Sequence, residues 1–147
     1  MNKYYYSAIF NASTWETFIS GKANIMGYRK KLKIMDEIKK GDIFICHMSR
    51  EYKFFALLEI ESEYFFDETK IWDEDTFPHR FEVRVITNQS MDKAINIKEQ
   101  FNKLELFQKL KKPDHWAGFF MSSPRKFSDN DGKLLYKKLI DPDSKSS

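Results

Sequence analysis

Two long apolar runs joined by a short polar turn limit the folds open to this chain more than any other feature. The segments 42–48 (DIFICHM) and 53–66 (KFFALLEIESEYFF) are rich in β-branched and aromatic residues, with SREY between them. Such runs around a short turn are typical of a β-hairpin. A third run, 79–86 (HRFEVRVI), alternates apolar and polar residues, which predicts a strand buried on one face.

The helices are predicted to be short and to flank these strands. After a first strand at 4–10 (YYYSAIF), Ser13 and Glu16 have the spacing of a capping box and predict a helix from Thr14 to Ile19 that ends at Gly21. A second helix is predicted before Gly41, from apolar residues three positions apart. These residues are Leu32, Met35 and Ile38.

The last third of the chain is less regular. Interrupted apolar positions predict partial helix within 90–112, and 115–123 (HWAGFFMSS) predicts a strand or a tight loop. Ser128, three residues before Asp131, predicts the N-cap of a closing helix. The expected fold is α+β, with a curved or barrel-like sheet, in one domain over residues 1–140. The polar residues 141–147 (DPDSKSS) are expected to be a tail or a linker.

Composition excludes several classes of protein. A single cysteine excludes an internal disulfide, and Cys46 is expected to be a small buried residue. No apolar run approaches the ~20 residues of a membrane span, and the first residues do not have the pattern of a signal peptide. We therefore expect a cytoplasmic location.

The sequence contains no positive sign of catalysis, and we expect neither an enzyme nor a cofactor. The histidines do not lie at metal-ligand spacing, and no glycine-rich phosphate loop is present. A nucleophile built from Cys46 and a histidine stays open as an alternative, as does metal binding by the acidic run 73–75, whose ordinary role is a solvated loop.

Basic residues form two blocks, at 22–40 and 103–138, and the acids concentrate between them at 59–75. Segregation of this kind permits a basic face for nucleic acid. Solvated helix faces are the alternative interpretation. A further oddity is Trp72, which stands beside three consecutive acids in the segment 70–85 (KIWDEDTFPHRFEVRV).

Several of these segments, taken in order, resemble the EVE domain, a member of the PUA-like superfamily related to YTH domains. The chain has an early strand followed by Asn11 and Trp15, then the block MDEIKKGDIF at 35–44 in which a helix leads into a hairpin strand. An aromatic next to FPHRFEV and the segment HWAGFFMSSPRKFS follow. The resemblance covers roughly residues 4–140.

The resemblance implies a β-barrel flanked by helices, with a pocket that holds one extruded and often methylated base. The implied pocket residues are Asn11, Ile25, Met26, Tyr28, Trp72 and Phe77. The implied contacts to the nucleic-acid backbone are Arg29, Lys30, Arg80, Arg125 and Lys126. Ile25 departs from the family pattern, which has a tryptophan there.

Structural roles stay open for some of these residues. Trp72 could instead plug the end of the barrel, and Asn11 could be a turn residue at the entry to the helix. Trp15 is expected to belong to the core. Arg80 and Trp116 are ambiguous: Arg80 could order the pocket instead of contacting phosphate, and Trp116 could pack against the end of the barrel.

The function implied is recognition without catalysis. We expect a module that binds methylated, double-stranded DNA through a flipped base, as the specificity module of a modification-dependent, McrBC-type restriction system. Such a module is fused or coupled to an NTPase motor and a nuclease. The alternative is an RNA-binding module that recognises a modified base in single-stranded RNA.

Overall fold

The strands form a strongly curled half-barrel, in a computed structural model that describes residues 3–100, 102–108 and 123–141. The strands are β1 (Tyr5–Phe10), β2 (Ile25–Tyr28), β3 (Ile43–Met48), β4 (Lys53–Ile60), β5 (Phe65–Phe66), β6 (His79–Asn88) and β7 (Ile95–Asn96). The helices are α1 (Ala12–Ser20), α2 (Glu105–Gln108) and α3 (Asp129–Ile140), with 3₁₀ turns at Lys33–Asp36 and Lys98–Gln100. The order in the sheet is β1-β3-β4-β6-β2, with β5 against β6 and β7 against β4. This confirms the predicted α+β class.

One parallel pair of strands determines where the site can form. β1 runs parallel to β3, whereas the other strand pairs in the described residues are antiparallel. The carboxyl ends of β1 and β3 therefore lie at the same edge. The backbone N–H of Ser49, just after β3, donates to the carbonyl of Phe10 at 2.8 Å. Asn11 and Ser49 thus begin the loops at one end of the half-barrel.

Apolar side chains cover both faces of the central strands. Inside the half-barrel, Phe44, Cys46 and Phe81 belong to one buried cluster, which confirms the buried position expected for Cys46. On the outer face, Leu135 and Leu139 of α3 belong to a second cluster. β3 is consequently buried along its whole length, as expected for a central strand covered on both faces.

α1 begins earlier than predicted. Its N-cap is Asn11 and not Ser13: the Asn11 Oδ1 accepts from the Thr14 backbone N–H at 2.7 Å, and Thr14 Oγ1 accepts from the Asn11 N–H at 2.9 Å. Asn caps as well as Ser, and here its reciprocal partner is Thr14, not Glu16. The predicted end at Gly21 is confirmed. So is the Ser128 cap of α3, whose Oγ accepts from the Asp131 N–H at 3.2 Å.

The second predicted helix is wrong in type. Only Lys33–Asp36 is helical, and it is a 3₁₀ turn, although Met35 and Ile38 are buried as predicted. The apolar spacing of three residues explains the error, because it matches the three-residue period of a 3₁₀ turn as well as one face of an α-helix. The short strand β2, before this turn, carries too few residues to show a period and was not predicted.

The predicted partial helix within 90–112 is confirmed by α2 and the 3₁₀ turn at Lys98–Gln100, within the residues that the structure describes. The predicted segment 115–123 and Trp116 lie outside the described residues, except for Ser123. In the described parts of the chain, no helix combines the length and apolar character needed to cross a bilayer.

Arg80 holds the loop of residues 67–77, which lies between β5 and β6. Its side chain is 1% exposed. The guanidinium donates to the carbonyls of Phe77 and Thr76, each at 3.0 Å, and to that of Thr69, and lies 3.5 Å from an Asp67 carboxylate oxygen. Three carbonyls spread along the loop are thus satisfied by one buried side chain. The planar fork of arginine suits this role, because its donors are spread over several nitrogens in fixed directions.

Trp72 attaches the middle of the same loop to α1. Its indole N–H donates to the carbonyl of Thr14 at 3.2 Å, and the side chain is 3% exposed. The Arg80 guanidinium carbon lies 5.7 Å from the centre of the indole ring. The loop therefore carries its own buried anchor, and its tryptophan is not exposed to solvent.

We predict that Arg80→Lys lowers the free energy of unfolding by about 3 kcal/mol, because the donors of an ammonium radiate from a single nitrogen and do not match carbonyls that are placed around two nitrogens of a planar guanidinium. Arg84→Lys is the matched control: it lies four residues further along β6, pairs with Glu59 and has a side chain 56% exposed. Its cost should stay below about 1 kcal/mol. Urea denaturation of the two variants makes the comparison, and equal costs would show that Arg80 does not anchor the loop.

His47 makes the stability depend on pH. The imidazole is 4% exposed, and its ring centre lies 6.4 Å from that of Phe54. Burial lowers the pKa of His47 from 6.5 to about 4. At neutral pH the ring is uncharged in both the folded and the unfolded chain. Between these two values the unfolded chain binds a proton that the folded chain does not.

We therefore predict that the free energy of unfolding falls as pH is lowered from about 6.5 to about 4, by up to roughly 3 kcal/mol from this residue. Below that window both states are protonated and the contribution of His47 stops changing. Denaturation curves at several pH values, for the wild type and His47→Gln, isolate the effect. Parallel curves for the two proteins across this window would contradict it.

Candidate nucleic-acid interface

A cavity of about 190 Å³ opens at the carboxyl ends of β1 and β3. The strand ends and the first turn of α1 form its floor, and the 67–77 loop forms one wall. The lining residues are Ile9, Phe10, Asn11, Thr14, Gly27, Arg29, Ser49, Trp72 and Phe77. It is smaller than the pockets of about 300–1,000 Å³ that enclose drug-sized ligands, so it suits a ligand the size of one ring system.

Two aromatic rings of the 67–77 loop form one wall. Trp72 and Phe77 meet edge to face, with ring centres 5.4 Å apart and an angle of 85° between the planes. Because Trp72 is fixed by its bond to Thr14 and Phe77 packs against it, the wall is formed before any ligand enters. Trp72 is thus at once a lining residue and a buried anchor of the fold.

Gly27 lets Phe77 come close to β2. A Cβ at position 27 would lie 2.3 Å from the carbonyl oxygen of Phe77 and 3.0 Å from its Cβ. Phe77 itself has a φ of 46°, in the left-handed region that aromatic residues rarely adopt. The bond from Arg80 to its carbonyl stabilises that conformation. Gly27 and Arg80 together place the ring at the cavity.

Asn11 supplies a polar edge. Its Oδ1 is taken by the cap of α1, so its side-chain NH₂ is the group left to meet a ligand. That NH₂ makes no hydrogen bond to any part of the chain that the structure describes. An amide NH₂ donates, and the ring nitrogens of nucleobases accept. The two interpretations of Asn11 are therefore compatible, because it caps the helix and also borders the cavity.

A second cavity, of about 220 Å³, adjoins the first. The two share four lining residues: Ile9, Gly27, Arg29 and Phe77. Tyr28, Lys30, Leu32 and Ser123 line the second cavity alone. The hydroxyl of Tyr28 donates to the carbonyl of Ser7 at 3.0 Å, so it is fixed at the back of this cavity. Burial raises the pKa of the Tyr28 phenol well above its ordinary value.

Arg29 lies at the boundary of the two cavities. Its Nε donates to Asp75 Oδ2 at 2.8 Å, and its guanidinium carbon lies 5.0 Å from the centre of the Phe77 ring. The ion pair and the ring hold the guanidinium in place, while 62% of the side chain is exposed. Its terminal NH₂ groups make no hydrogen bond to the described residues. They are available to an anion at the rim.

Two predicted pocket residues lie elsewhere. Met26 is buried in the core inside the half-barrel, because it alternates with Gly27 along β2. Ile25 lines a separate cavity of about 510 Å³ with Ile71. Neither borders the cavity that Asn11, Trp72 and Phe77 share. Trp15 packs against Phe10, Phe18 and Phe55, which confirms its predicted place in the core.

The predicted backbone contacts divide into three groups. Arg80 cannot reach a phosphate, because its guanidinium is buried beneath the 67–77 loop. Its bonds to that loop agree instead with the alternative role, ordering the pocket. Arg29 and Lys30 border the cavities. Arg125 and Lys126 lie on the segment that runs along β1, where Phe127 N–H donates to the carbonyl of Tyr5. The Lys126 ammonium lies 3.9 Å from the centre of the Tyr4 ring, towards the opposite end of β1.

The geometry gives little support to two alternatives, a nucleophile built on Cys46 and a metal site in the acidic run 73–75. Burial raises the pKa of the Cys46 thiol, which keeps the sulfur protonated and unreactive. Asp73, Glu74 and Asp75 are exposed, and Asp75 is paired with Arg29. Among residues 3–100, 102–108 and 123–141, no three His, Cys, Asp or Glu side chains come together as a metal site would require.

Five residues of the first cavity were not predicted from the sequence: Ile9, Phe10, Thr14, Gly27 and Ser49. A signal for Ser49 was present, since it follows β3 as Asn11 follows β1. Recognising it required knowing that the two strands are parallel neighbours. Gly27 and Thr14 carry no such signal, because their roles depend on the approach of the 67–77 loop.

The comparisons with known proteins give structural relatives only. No family model matches the chain, and no curated protein matches it by sequence. The YTH domain of Pho92, solved in complex with m6A, superposes with a TM-score of 0.65 at 14% identity, over 99% of this chain and 88% of that one. The YTH domain of Zygosaccharomyces rouxii MRB1, solved in complex with N6-methyladenosine RNA, gives 0.58 at 14% identity, over 95% and 88%.

A hypothetical protein from Leishmania major gives a TM-score of 0.66 at 12% identity, over 94% of this chain and 95% of that one. At such low identity the likeness concerns the fold. It covers nearly the whole of each chain, so the half-barrel and its flanking helices are shared. The chain therefore has the fold of the YTH domains, which confirms the predicted PUA-like architecture.

Proposed function

We propose that this protein is a non-catalytic module that binds nucleic acid by taking one extruded, modified base into the cavity between Asn11, Trp72 and Phe77. The observation that carries the proposal is the preformed aromatic wall of a cavity of about 190 Å³ that Asn11 also lines. A flat, apolar ligand with hydrogen-bond acceptors on its edge has the matching chemistry. A nucleobase is such a ligand.

The energetics favour a modified base. Extruding a base costs a few kcal/mol, and stacking on an aromatic side chain returns about 1–3 kcal/mol. A methyl group buried against Trp72 or Phe77 adds about 0.8 kcal/mol, which an unmodified base lacks. Discrimination of several-fold therefore follows from shape and apolar contact, without any catalytic group.

The relatives support N6-methyladenine as the base. Two structures that share this fold contain m6A or N6-methyladenosine RNA. Adenine also presents ring nitrogens as acceptors for the NH₂ of Asn11. Arg29 and Lys30 at the rim supply positive charge for the neighbouring phosphates, as Arg125 and Lys126 would further along β1.

RNA and DNA are both candidate ligands, and a different likeness favours each of them. The likeness to YTH domains solved with RNA favours a single RNA strand. The resemblance to EVE domains favours methylated, double-stranded DNA and a role as the specificity module of a modification-dependent restriction system, coupled to an NTPase motor and a nuclease. The base pocket would be the same in both.

A binding panel tests the proposal. Calorimetry with matched RNA and DNA oligonucleotides, each with adenine, N6-methyladenine, cytosine or methylcytosine at the central position, should show one methylated ligand bound about fourfold more tightly than its unmodified partner. Tighter binding of the ribose or the deoxyribose oligonucleotide identifies the natural ligand as RNA or DNA. Equal affinities within every pair would contradict recognition of a methylated base.

The same panel on two Asn11 variants locates the site. Asn11→Asp and Asn11→Ser both keep an oxygen that can cap α1, and both lose the NH₂ donor. Stability should change by less than about 0.5 kcal/mol, while affinity for the preferred base falls about tenfold in both variants. The neutral serine variant controls for charge repulsion. Unchanged binding by Asn11→Ser would place the base elsewhere.

A further inference from the structure

The second cavity has the features of another base-binding site, adjoining the first. The two spaces are similar in volume, about 190 and 220 Å³, and Phe77 borders both. An aromatic ring between two spaces of this size can contact a ring system on each side. Tyr28 and Leu32 add apolar surface to the second space, and the Ser123 hydroxyl adds a polar group that lies 2.9 Å from Ser7 Oγ.

Positive charge lies at the boundary between the two cavities. Arg29 borders both cavities, and Lys30 borders the second. Asp75 accepts from the Nε of Arg29, and the Phe77 ring lies against the guanidinium. The two terminal NH₂ groups make no hydrogen bond to the described residues. Two such groups are suited to two phosphate oxygens.

We propose that the second cavity binds the nucleotide next to the modified base in the chain, with the linking phosphate on Arg29. This inference rests on the proposed function and extends it to two adjacent nucleotides. A strand has direction, and the two cavities are not equivalent. The neighbour that occupies the second cavity therefore lies on one side of the modified base only, either 5′ or 3′.

The test uses small probes, made with ribose and with deoxyribose. The first probe is the N6-methylated adenine nucleoside. The next two are dinucleotides that carry the methylated base at the 5′ or the 3′ position beside a uracil or thymine neighbour. Each dinucleotide is also made in an abasic version that lacks the neighbouring base. One dinucleotide should bind about tenfold more tightly than the nucleoside. The other dinucleotide should gain clearly less affinity over the nucleoside. The abasic version of the tighter-binding dinucleotide should lose most of its gain in affinity.

Protein variants test the charge at the second cavity. Lys30→Ala should weaken the better dinucleotide by a few-fold, and more than it weakens the nucleoside. Lys40→Ala is the matched control, because it is an exposed lysine near Asp42, at the opposite end of β1 and β3. It should leave both affinities unchanged.

Two results would overturn the second site. One is that neither dinucleotide binds more tightly than the nucleoside. The other is that both gain equally and keep the gain without the second base, which would indicate only general attraction of a phosphate. In either case selective binding of the methylated nucleoside would still support the proposed function. No selectivity for that nucleoside over unmodified adenosine would instead contradict N6-methyladenine as the base, and the second site beside it.

Discussion

The buried guanidinium of Arg80 is the interaction on which the candidate site depends. Without it, the carbonyls of Thr69, Thr76 and Phe77 would turn into the protein with no donor, and the loop they belong to could not lie against the sheet. Because the loop lies there, Trp72 reaches α1 and Phe77 reaches Gly27. A positive charge that is fully removed from water thus has a specific use: it gives a long irregular loop one conformation. The aromatic wall is rigid as a consequence.

The floor of the site has a different origin. The parallel pairing of β1 and β3 brings two chain reversals to the same edge, and each begins with a polar residue, Asn11 or Ser49. Asn11 caps the helix through its side-chain oxygen and also lines the cavity. Under the proposed function, helix capping and ligand recognition would share one side chain. Substitutions there must preserve the cap if they are to report on binding alone.

Much of the fold could be predicted from the sequence, because strands β3, β4 and β6 carry their own apolar patterns and the caps of α3 are local. The site was predictable only in part. Asn11, Trp72 and Phe77 followed from the resemblance to a family, and the cavity brings them together. Ile25 and Met26 were implied by the same resemblance but do not line this cavity, since the register of the short strand β2 decides which way they face. The sequence left the role of Arg80 open between ordering the pocket and contacting phosphate, because an arginine beside a histidine at the start of a strand is equally suited to solvent until the loop that covers it is known.

The proposed function requires a modified base to lie between Asn11 and the Trp72–Phe77 wall. NMR tests this directly, on the protein bound to a short oligonucleotide whose N6-methyl group carries ¹³C. We expect intermolecular nuclear Overhauser effects from that methyl group to ring protons of Trp72 or Phe77, and from the base to the side-chain NH₂ of Asn11. Effects from the methyl group only to residues outside this cavity, such as those around Ile25, would contradict it.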